Sequence, residues 1–187
     1  MSVNRDGLLQ AALTLLDAGP YDGLTIDALA STLRMSKSTL YKYFEGKDDL
    51  IHALIEHLCV ATETDLASNV ESHLPAEVAL TAMIGVYGRH AERVPRALVQ
   101  QPERLPAHCR LRLEGAERRL GTVCQTVVER GFASGAFKAD SPSVAAYSVR
   151  SGLEGAMRFV RTEPAASRPA LLDSLVPLYL NGLRAKA

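Results

Sequence analysis

Apolar residues recur along the chain at helical spacing and are separated by short polar, proline or glycine breaks. In the first segment Leu9, Leu13 and Leu16 stand three and four residues apart, and Gly19-Pro20 ends the stripe. Comparable stripes predict further helices over about 26–33, 37–43, 47–70, 75–91, 95–101, 106–131, 142–162 and 168–184. The pattern therefore predicts an all-α protein.

The short segment 36–44 has a polar side of unusual composition. Ser36 is a good N-cap, and Leu40 and Phe44 stand four residues apart and are expected to face inward. Cationic and hydroxyl side chains, which are the types that contact phosphates and base edges, then point away from the protein. These are Lys37, Ser38, Thr39, Tyr41 and Lys42.

A second capped helix precedes this segment. Thr25 is placed to cap it, and Ile26, Leu29 and Leu33 lie on its apolar stripe. Two short helices joined across residues 34–36 indicate a helix-turn-helix, in which the second helix reads the major groove of DNA.

The charge balance restricts how much of the surface could contact DNA. The 187 residues carry a formal net charge of zero, which argues against nucleic-acid binding over the whole surface. Residues 1–60 hold five Lys or Arg against eight Asp or Glu, a sum of −3. Residues 34–47, however, hold four cations against Glu45 alone. The sequence thus predicts a small basic footprint around the second helix, with a shallow salt dependence.

Three stretches together resemble the N-terminal domain of the tetracycline-repressor (TetR) family. They are Gly23-Leu24-Thr25-Ile26, Leu29-Ala30 and the run from Met35 to Leu50. The resemblance implies a three-helix DNA-binding domain over residues 1–47, joined by a long fourth helix to a helical effector-binding and dimerisation domain over 48–187. One departure is Arg34, where the family often has Gly, so a left-handed residue in the turn would be mildly strained.

The resemblance also implies roles for residues in this first domain. Thr25 and Lys47 would bind phosphates at the starts of the second and fourth helices, although Thr25 could equally be only a cap. The remaining candidates would lie near base edges, backbone phosphates or thymine methyl groups. They are Lys37, Ser38, Thr39, Tyr41, Lys42 and Tyr43, of which Tyr43 could instead be a core residue.

The second domain of the family holds a small-molecule effector between its helices. In this chain the candidates are polarisable or amphipathic groups on apolar helix faces, each of which could also be plain core. They are Met83, Tyr87, Cys124 and Tyr147.

The two C-terminal helices are too apolar for one core-facing side, which favours a homodimer over a monomer. In the first of them Ser148, Gly152 and Ala156 place small residues four apart, which would allow close approach of another helix. The last helix contributes Leu172, Leu175 and Tyr179, with Pro177 inside it as a cause of a kink. The family is similar in pairing through its last two long helices.

Other classes of function find little support in the sequence. His52, Glu56 and His57 lack a third metal ligand at suitable spacing, and His108-Cys109 beside Glu114 lacks the groups of a catalytic site, so neither a metal, a cofactor nor an enzyme is predicted. Three cysteines and the absence of a long apolar run indicate a cytoplasmic protein without a membrane span.

The expected function is a repressor that binds a palindromic operator in double-stranded DNA as a dimer and is released by a small molecule. The alternatives are an activator, a DNA binder without an effector, or a helical dimer that has lost DNA binding.

Overall fold

In the computed structural model, the described residues 4–163 and 167–184 form nine α-helices. The prediction of an all-α fold is confirmed. Two short 3₁₀ turns, Tyr21–Gly23 and Pro102–Arg104, lie between helices. The helices are α1 (Arg5–Ala18), α2 (Ile26–Leu33), α3 (Lys37–Leu40), α4 (Lys47–Asn69), α5 (Ala76–Arg93), α6 (Arg96–Gln100), α7 (Ala107–Ala133), α8 (Pro142–Thr162) and α9 (Arg168–Leu183).

Local sequence signals explain most helix starts. The side chain of Asn4 accepts a hydrogen bond of 3.0 Å from the Gly7 amide and caps α1. Pro142 lies in the first turn of α8, where its missing N–H costs least. Ser141 precedes it at the N-cap position but makes no capping hydrogen bond with its side chain.

The end of α7 differs from the prediction because Gly131 does not end the helix. The helix continues to Ala133, and a side chain at position 131 would overlap the ring of Phe137. The Phe137 amide donates to the Gly131 carbonyl at 3.0 Å, and Phe137 also forms an isolated β-bridge with Arg184. Gly131 therefore serves close packing inside the helix instead of a turn after it.

The chain divides into two compact units. Unit 1 comprises the described residues up to 60 together with 94–114, in which α1 packs on α2 and α6, and α2 packs on α3. Its core is formed by buried leucines, with Phe44 and isoleucines of α4. The main buried residues are Leu8, Leu16, Leu24, Leu29, Leu40, Phe44, Leu50, Ile51 and Leu54.

Unit 2 comprises residues 61–93 and the described residues from 115 onward. Within it α5 packs on α8 and α9, and α8 packs on α9. Its core contains Leu80, Met83, Ile84, Tyr87, Leu120, Cys124, Val127 and Leu153. Helix α9 runs through Pro177, as its sequence predicted.

None of the helices in the described part of the chain is long and apolar enough to cross a membrane.

Candidate nucleic-acid interface

The start of α2 is set by Thr25. Its backbone is extended (φ −135°, ψ 159°), and its hydroxyl oxygen accepts a hydrogen bond of 3.0 Å from the Ala28 amide. The predicted cap is confirmed. Because the Thr25 side chain is exposed, the same hydroxyl lies at the surface beside the free amides of the first turn, where anions bind.

Arg34 forms the turn between α2 and α3 in a left-handed conformation. Its φ of 52° and ψ of 40° make it the one non-glycine residue with positive φ among those described. The Met35 amide donates to the Ala30 carbonyl at 2.9 Å, which closes the end of α2. The turn therefore requires the left-handed backbone conformation that glycine usually provides, and here an arginine adopts it.

Helix α3 is shorter than the predicted 37–43, since regular α geometry ends at Leu40. Beyond that point the Lys42 amide donates to Thr39 at 3.2 Å and the Tyr43 amide to Leu40 at 2.9 Å. These bonds span three residues instead of four, so the segment tightens into turns. Buried Leu40 and Phe44 still hold it against unit 1.

The predicted outward side of α3 and its following turns is open to solvent. Tyr41 is 54% exposed and Tyr43 39%, and Lys37, Ser38 and Lys42 are exposed as well. Thr39 is half-buried. Unit 1 therefore presents phenol, hydroxyl and ammonium groups at the surface of one short segment.

Three hydroxyl groups at the start of α3 are bonded to one another. Ser36 Oγ lies 2.9 Å from Ser38 Oγ and 2.7 Å from Thr39 Oγ1, and it accepts from the Thr39 amide at 3.2 Å. Ser36 is thus confirmed as the N-cap. Ser38 and Thr39 are held in position by it, so their hydroxyls already have hydrogen-bond partners.

Lys37 does not extend freely into solvent. Its ammonium donates to Asp27 Oδ2 on α2 at 2.6 Å, and that hydrogen bond with the nearby carboxylate raises the pKa of Lys37. Both side chains are exposed. Asp27 therefore neutralises one of the four cations of segment 34–47, a pairing that the sequence analysis missed.

Lys47, at the start of α4, turns back toward the Tyr21–Gly23 turn of the same unit. Its ammonium donates to the Tyr21 carbonyl at 2.9 Å, lies 4.2 Å from the centroid of the Tyr21 ring, and is 4.0 Å from an Asp22 carboxylate oxygen. Burial lowers the pKa of Lys47. Lys47 therefore fastens α4 to the Tyr21–Gly23 turn, besides the phosphate contact predicted for it.

The effector candidates separate into two environments. Met83, Tyr87 and Cys124 are buried in the core of unit 2, whereas Tyr147 is 61% exposed on α8. Burial raises the pKa of Cys124 to about 12 and raises the pKa of Tyr87 as well. The Tyr87 hydroxyl is buried without a hydrogen-bond partner among the described residues. The structure thus brings three of the four candidates into one core.

A polar cluster of buried Thr62, His90 and Arg161 with half-buried Glu117 lies in the same unit, and the sequence did not predict it. His90 Nδ1 is 2.8 Å from Thr62 Oγ1, and Arg161 Nη1 donates to Glu117 Oε1 at 3.4 Å. His90 Nε2 is 3.9 Å from Glu117 Oε1, which is too long for a hydrogen bond. Burial lowers the pKa of His90. The sequence around His90 does not indicate these partners, because they lie on other helices.

Several of the predicted dimer residues contact their own chain. A side-chain carbon at Gly152 would lie 2.5 Å from the hydroxyl oxygen of Tyr179, and one at Gly88 would lie 3.0 Å from Leu172. Leu175 and Ala156 also pack against the core of unit 2, whereas Ser148 is exposed. Gly152 thus gives space to α9 of the same subunit. A role of these residues at a dimer interface stays a prediction.

The exposed side of α8 lies next to the line formed by Ser148, Gly152 and Ala156. Large apolar side chains at Val144, Tyr147 and Phe159 are 63%, 61% and 55% exposed, and Leu178 on α9 is 64% exposed. A side chain at Gly155, on the same side of α8, would meet only the side chain of Arg158. We call Val144, Tyr147, Gly155 and Phe159 the outer face of α8.

The N-terminal helices match a known family. The model of the bacterial regulatory proteins of the tetR family matches residues 8–54, which span α1, α2, α3 and the start of α4. A search of curated proteins found no match.

Solved structures of similar fold cover nearly the whole chain. The TetR-family transcriptional regulator PfmR from Thermus thermophilus has a TM-score of 0.75 and 22% identity, covering 97% of this chain and 100% of its own. A TetR-family regulator from Agrobacterium tumefaciens has a TM-score of 0.75 and 20% identity, covering 96% and 97%. The superantigen PfiT has a TM-score of 0.73 and 19% identity, covering 97% and 96%.

At these identities the likeness to solved structures establishes the fold alone. The match over residues 8–54 adds the family's helix-turn-helix domain, in the part of the chain where the exposed polar side of α3 lies. Residues 8–54 therefore carry the N-terminal domain of the tetR family of bacterial regulatory proteins, within a chain that has the fold of solved TetR-family regulators.

Proposed function

We propose that the chain is a cytoplasmic repressor that binds a palindromic operator in double-stranded DNA as a homodimer and releases it when a small molecule binds. The observation that carries the proposal is the exposed polar side of α3 and its following turns, presented on a helix-turn-helix. DNA binding is assigned to residues 1–47, and effector binding and dimerisation to 48–187.

In the proposed complex α3 enters the major groove. Lys37, Ser38, Thr39 and Lys42 lie near base edges, and Tyr41 and Tyr43 contact phosphates or thymine methyl groups. Thr25 and the first turn of α4 bind phosphates at helix N-termini. Lys47 supports this docking chiefly by holding the start of α4 on Tyr21, to which its ammonium already donates.

The outer face of α8, with Leu178 of α9, supports a two-fold dimer. Exposed apolar side chains beside a glycine with open space above it suit close packing against a second copy. A two-fold dimer places two α3 segments on a site whose half-sites are separated by whole helical turns of DNA. The operator is therefore a palindrome.

Effector binding is assigned to unit 2. Tyr87, Met83 and Cys124 supply an amphipathic and polarisable lining, and the unpartnered Tyr87 hydroxyl can bond a ligand that enters this core. The effector regulates DNA binding only if it favours one arrangement of the dimer over another. In our proposal it favours the arrangement that does not bind the operator.

The test uses fluorescence anisotropy with the full chain and DNA from its own upstream region. Tyr41→Ala and Lys42→Ala are expected to weaken binding by at least about tenfold, since each removes a direct contact. Matched controls are Tyr41→Phe, which keeps the ring, and Lys138→Ala, which removes an exposed lysine in unit 2. Unchanged affinity in both Ala variants would contradict the proposed docking.

The same experiment separates the alternatives. A helical dimer without DNA binding is favoured by the net charge of −3 over residues 1–60, and it predicts no affinity for any upstream DNA. An activator would also bind the operator, but reporter expression would fall when the gene is deleted. A DNA binder without an effector would bind the operator with an affinity that added metabolites do not change. A repressor predicts that expression rises on deletion.

A further inference from the structure

Helices α4 and α7 bring together three side chains of metal-ligand type within unit 1. His52 lies on α4, and His108 and Cys109 lie at the start of α7. One potential donor atom of each lies within 4.8 Å of the other two. The two imidazole rings have centroids 5.1 Å apart and are tilted by 58°.

These donors match the preferences of borderline transition metals. Two imidazole nitrogens and one thiolate sulfur are typical ligands of Zn²⁺, and a fourth position can be left to water. In a tetrahedral Zn²⁺ site neighbouring donors stand roughly 3.3–3.6 Å apart. The donors here must therefore approach by little more than about 1 Å, a movement that the exposed histidine side chains can supply by rotation.

One charged neighbour of the three donors, Glu56, is already engaged in an ion pair. Arg112 Nε donates to Glu56 Oε1 at 2.9 Å, so Glu56, one turn after His52 on α4, already has a partner. His57, which the sequence pairs with His52, is not among the three converging donors. The fold instead brings His52 of α4 together with His108 and Cys109 of α7, which lie far away in the sequence.

We propose that His52, His108 and Cys109 bind a divalent transition metal of the Zn²⁺ class and thereby link α4 to α7 within unit 1. The proposal concerns metal binding alone and does not depend on the DNA-binding function. Cys109 is a free cysteine, so its sulfur is a thiol before the metal binds. On binding, the S–H bond breaks, the S–Zn bond forms and the proton leaves to solvent.

The test is titration of the metal-free full chain with Zn²⁺ by calorimetry, and with Co²⁺ by absorption. One equivalent per chain is expected, and Co²⁺ should give a thiolate-to-metal charge-transfer band with the visible bands of tetrahedral coordination. His52→Ala, His108→Ala and Cys109→Ser should each weaken Zn²⁺ binding by at least about tenfold. The charge-transfer band should vanish in Cys109→Ser.

Matched controls are His73→Ala, an exposed histidine in unit 2, and Cys124→Ser, a buried cysteine in unit 2. Both should bind Zn²⁺ as the wild type does. If Cys109→Ser does not fold, the two histidine variants decide, since both side chains are exposed. The proposal is overturned if the wild type binds no Zn²⁺, if the histidine variants bind it equally well, or if Co²⁺ shows no thiolate band.

Discussion

The ammonium of Lys37 on α3 lies 2.6 Å from the carboxylate of Asp27 on α2. Both groups are exposed, and Lys37 is also a proposed DNA contact. Any phosphate or base edge that binds Lys37 therefore competes with a carboxylate of the same protein. This competition makes Asp27 a negative determinant of affinity in the proposed interface.

Replacing Asp27 with asparagine should strengthen operator binding by about two- to fivefold, because Lys37 loses its competing partner. The slope of log K against log salt concentration should become steeper by about one charge. Anisotropy titrations at several salt concentrations measure both quantities. The control is Asp6→Asn, which makes the same change of charge on α1. An equal effect in both variants would show that Asp27 acts only through the net charge of the protein.

The left-handed turn at Arg34 predicts a stabilising substitution. Arg34→Gly should raise the free energy of unfolding by about 1 kcal/mol, since glycine adopts φ of 52° without a steric penalty. Arg34→Ala retains the strain and should not stabilise. Urea denaturation compares the two variants.

The same two variants separate strain from charge in DNA binding. Both remove the guanidinium, so both should weaken operator binding to a similar extent if Arg34 contributes through its charge. A stabilised Arg34→Gly variant with unchanged affinity would leave Arg34 no part in DNA binding.

Substitution by leucine should have different effects at two glycines of α8, one on dimerisation and one on the stability of the fold. Gly155→Leu adds a side chain on the outer face of α8, so we expect a folded chain that no longer dimerises at micromolar concentration. Gly152→Leu meets Tyr179 of the same chain and should destabilise the fold by about 1–3 kcal/mol. Sedimentation velocity and thermal unfolding distinguish the two effects. A dimeric Gly155→Leu variant would place the interface elsewhere.

Burial of His90 predicts loss of stability in mild acid. Its pKa in the folded chain lies below the ordinary value of 6.5, so below about pH 6.5 the unfolded chain takes up a proton that the folded chain does not. Stability should fall with decreasing pH by at most about 1.4 kcal/mol per pH unit, until the pH reaches the lowered pKa. The charged groups acting on His90 are Glu117, Arg161 and Arg93.

Chemical denaturation at about pH 7.5 and about pH 5.5 measures this effect. His90→Gln should remove part of the difference, because glutamine can still bond Thr62 but does not titrate. His73→Gln, on an exposed side chain, should leave the difference as in the wild type. Equal pH dependence in His90→Gln and the wild type would contradict the assignment.

Local chemistry explains why the helix-turn-helix could be predicted from the sequence. Leu29 and Leu40 are marked by their spacing, and Thr25 and Ser36 bond amides only three residues away. All of this information lies within a few positions of the residue concerned. The positions of α2 and α3 could therefore be predicted, apart from the early end of α3 at Leu40.

Pairings between distant residues could not be predicted in this way. Nothing near Lys47 indicates that it contacts Tyr21, and nothing near Gly152 indicates that its partner is Tyr179. The spacing of Ser148, Gly152 and Ala156 marks a line of small residues on α8, but it does not tell which side of an apolar helix another helix of the same chain covers. In the structure Gly152 lies against Tyr179, whereas the space beside Gly155 is open.

The three cysteines are all buried, with Cys59 and Cys109 in unit 1 and Cys124 in unit 2. A thiol-modifying reagent can reach each sulfur only when the surrounding structure opens. In the metal-free protein, the rate of labelling at each cysteine, followed by mass spectrometry, therefore reports the opening equilibrium of its own unit. The native protein thus carries intrinsic probes of how the proposed effector or operator DNA changes the local dynamics of each unit.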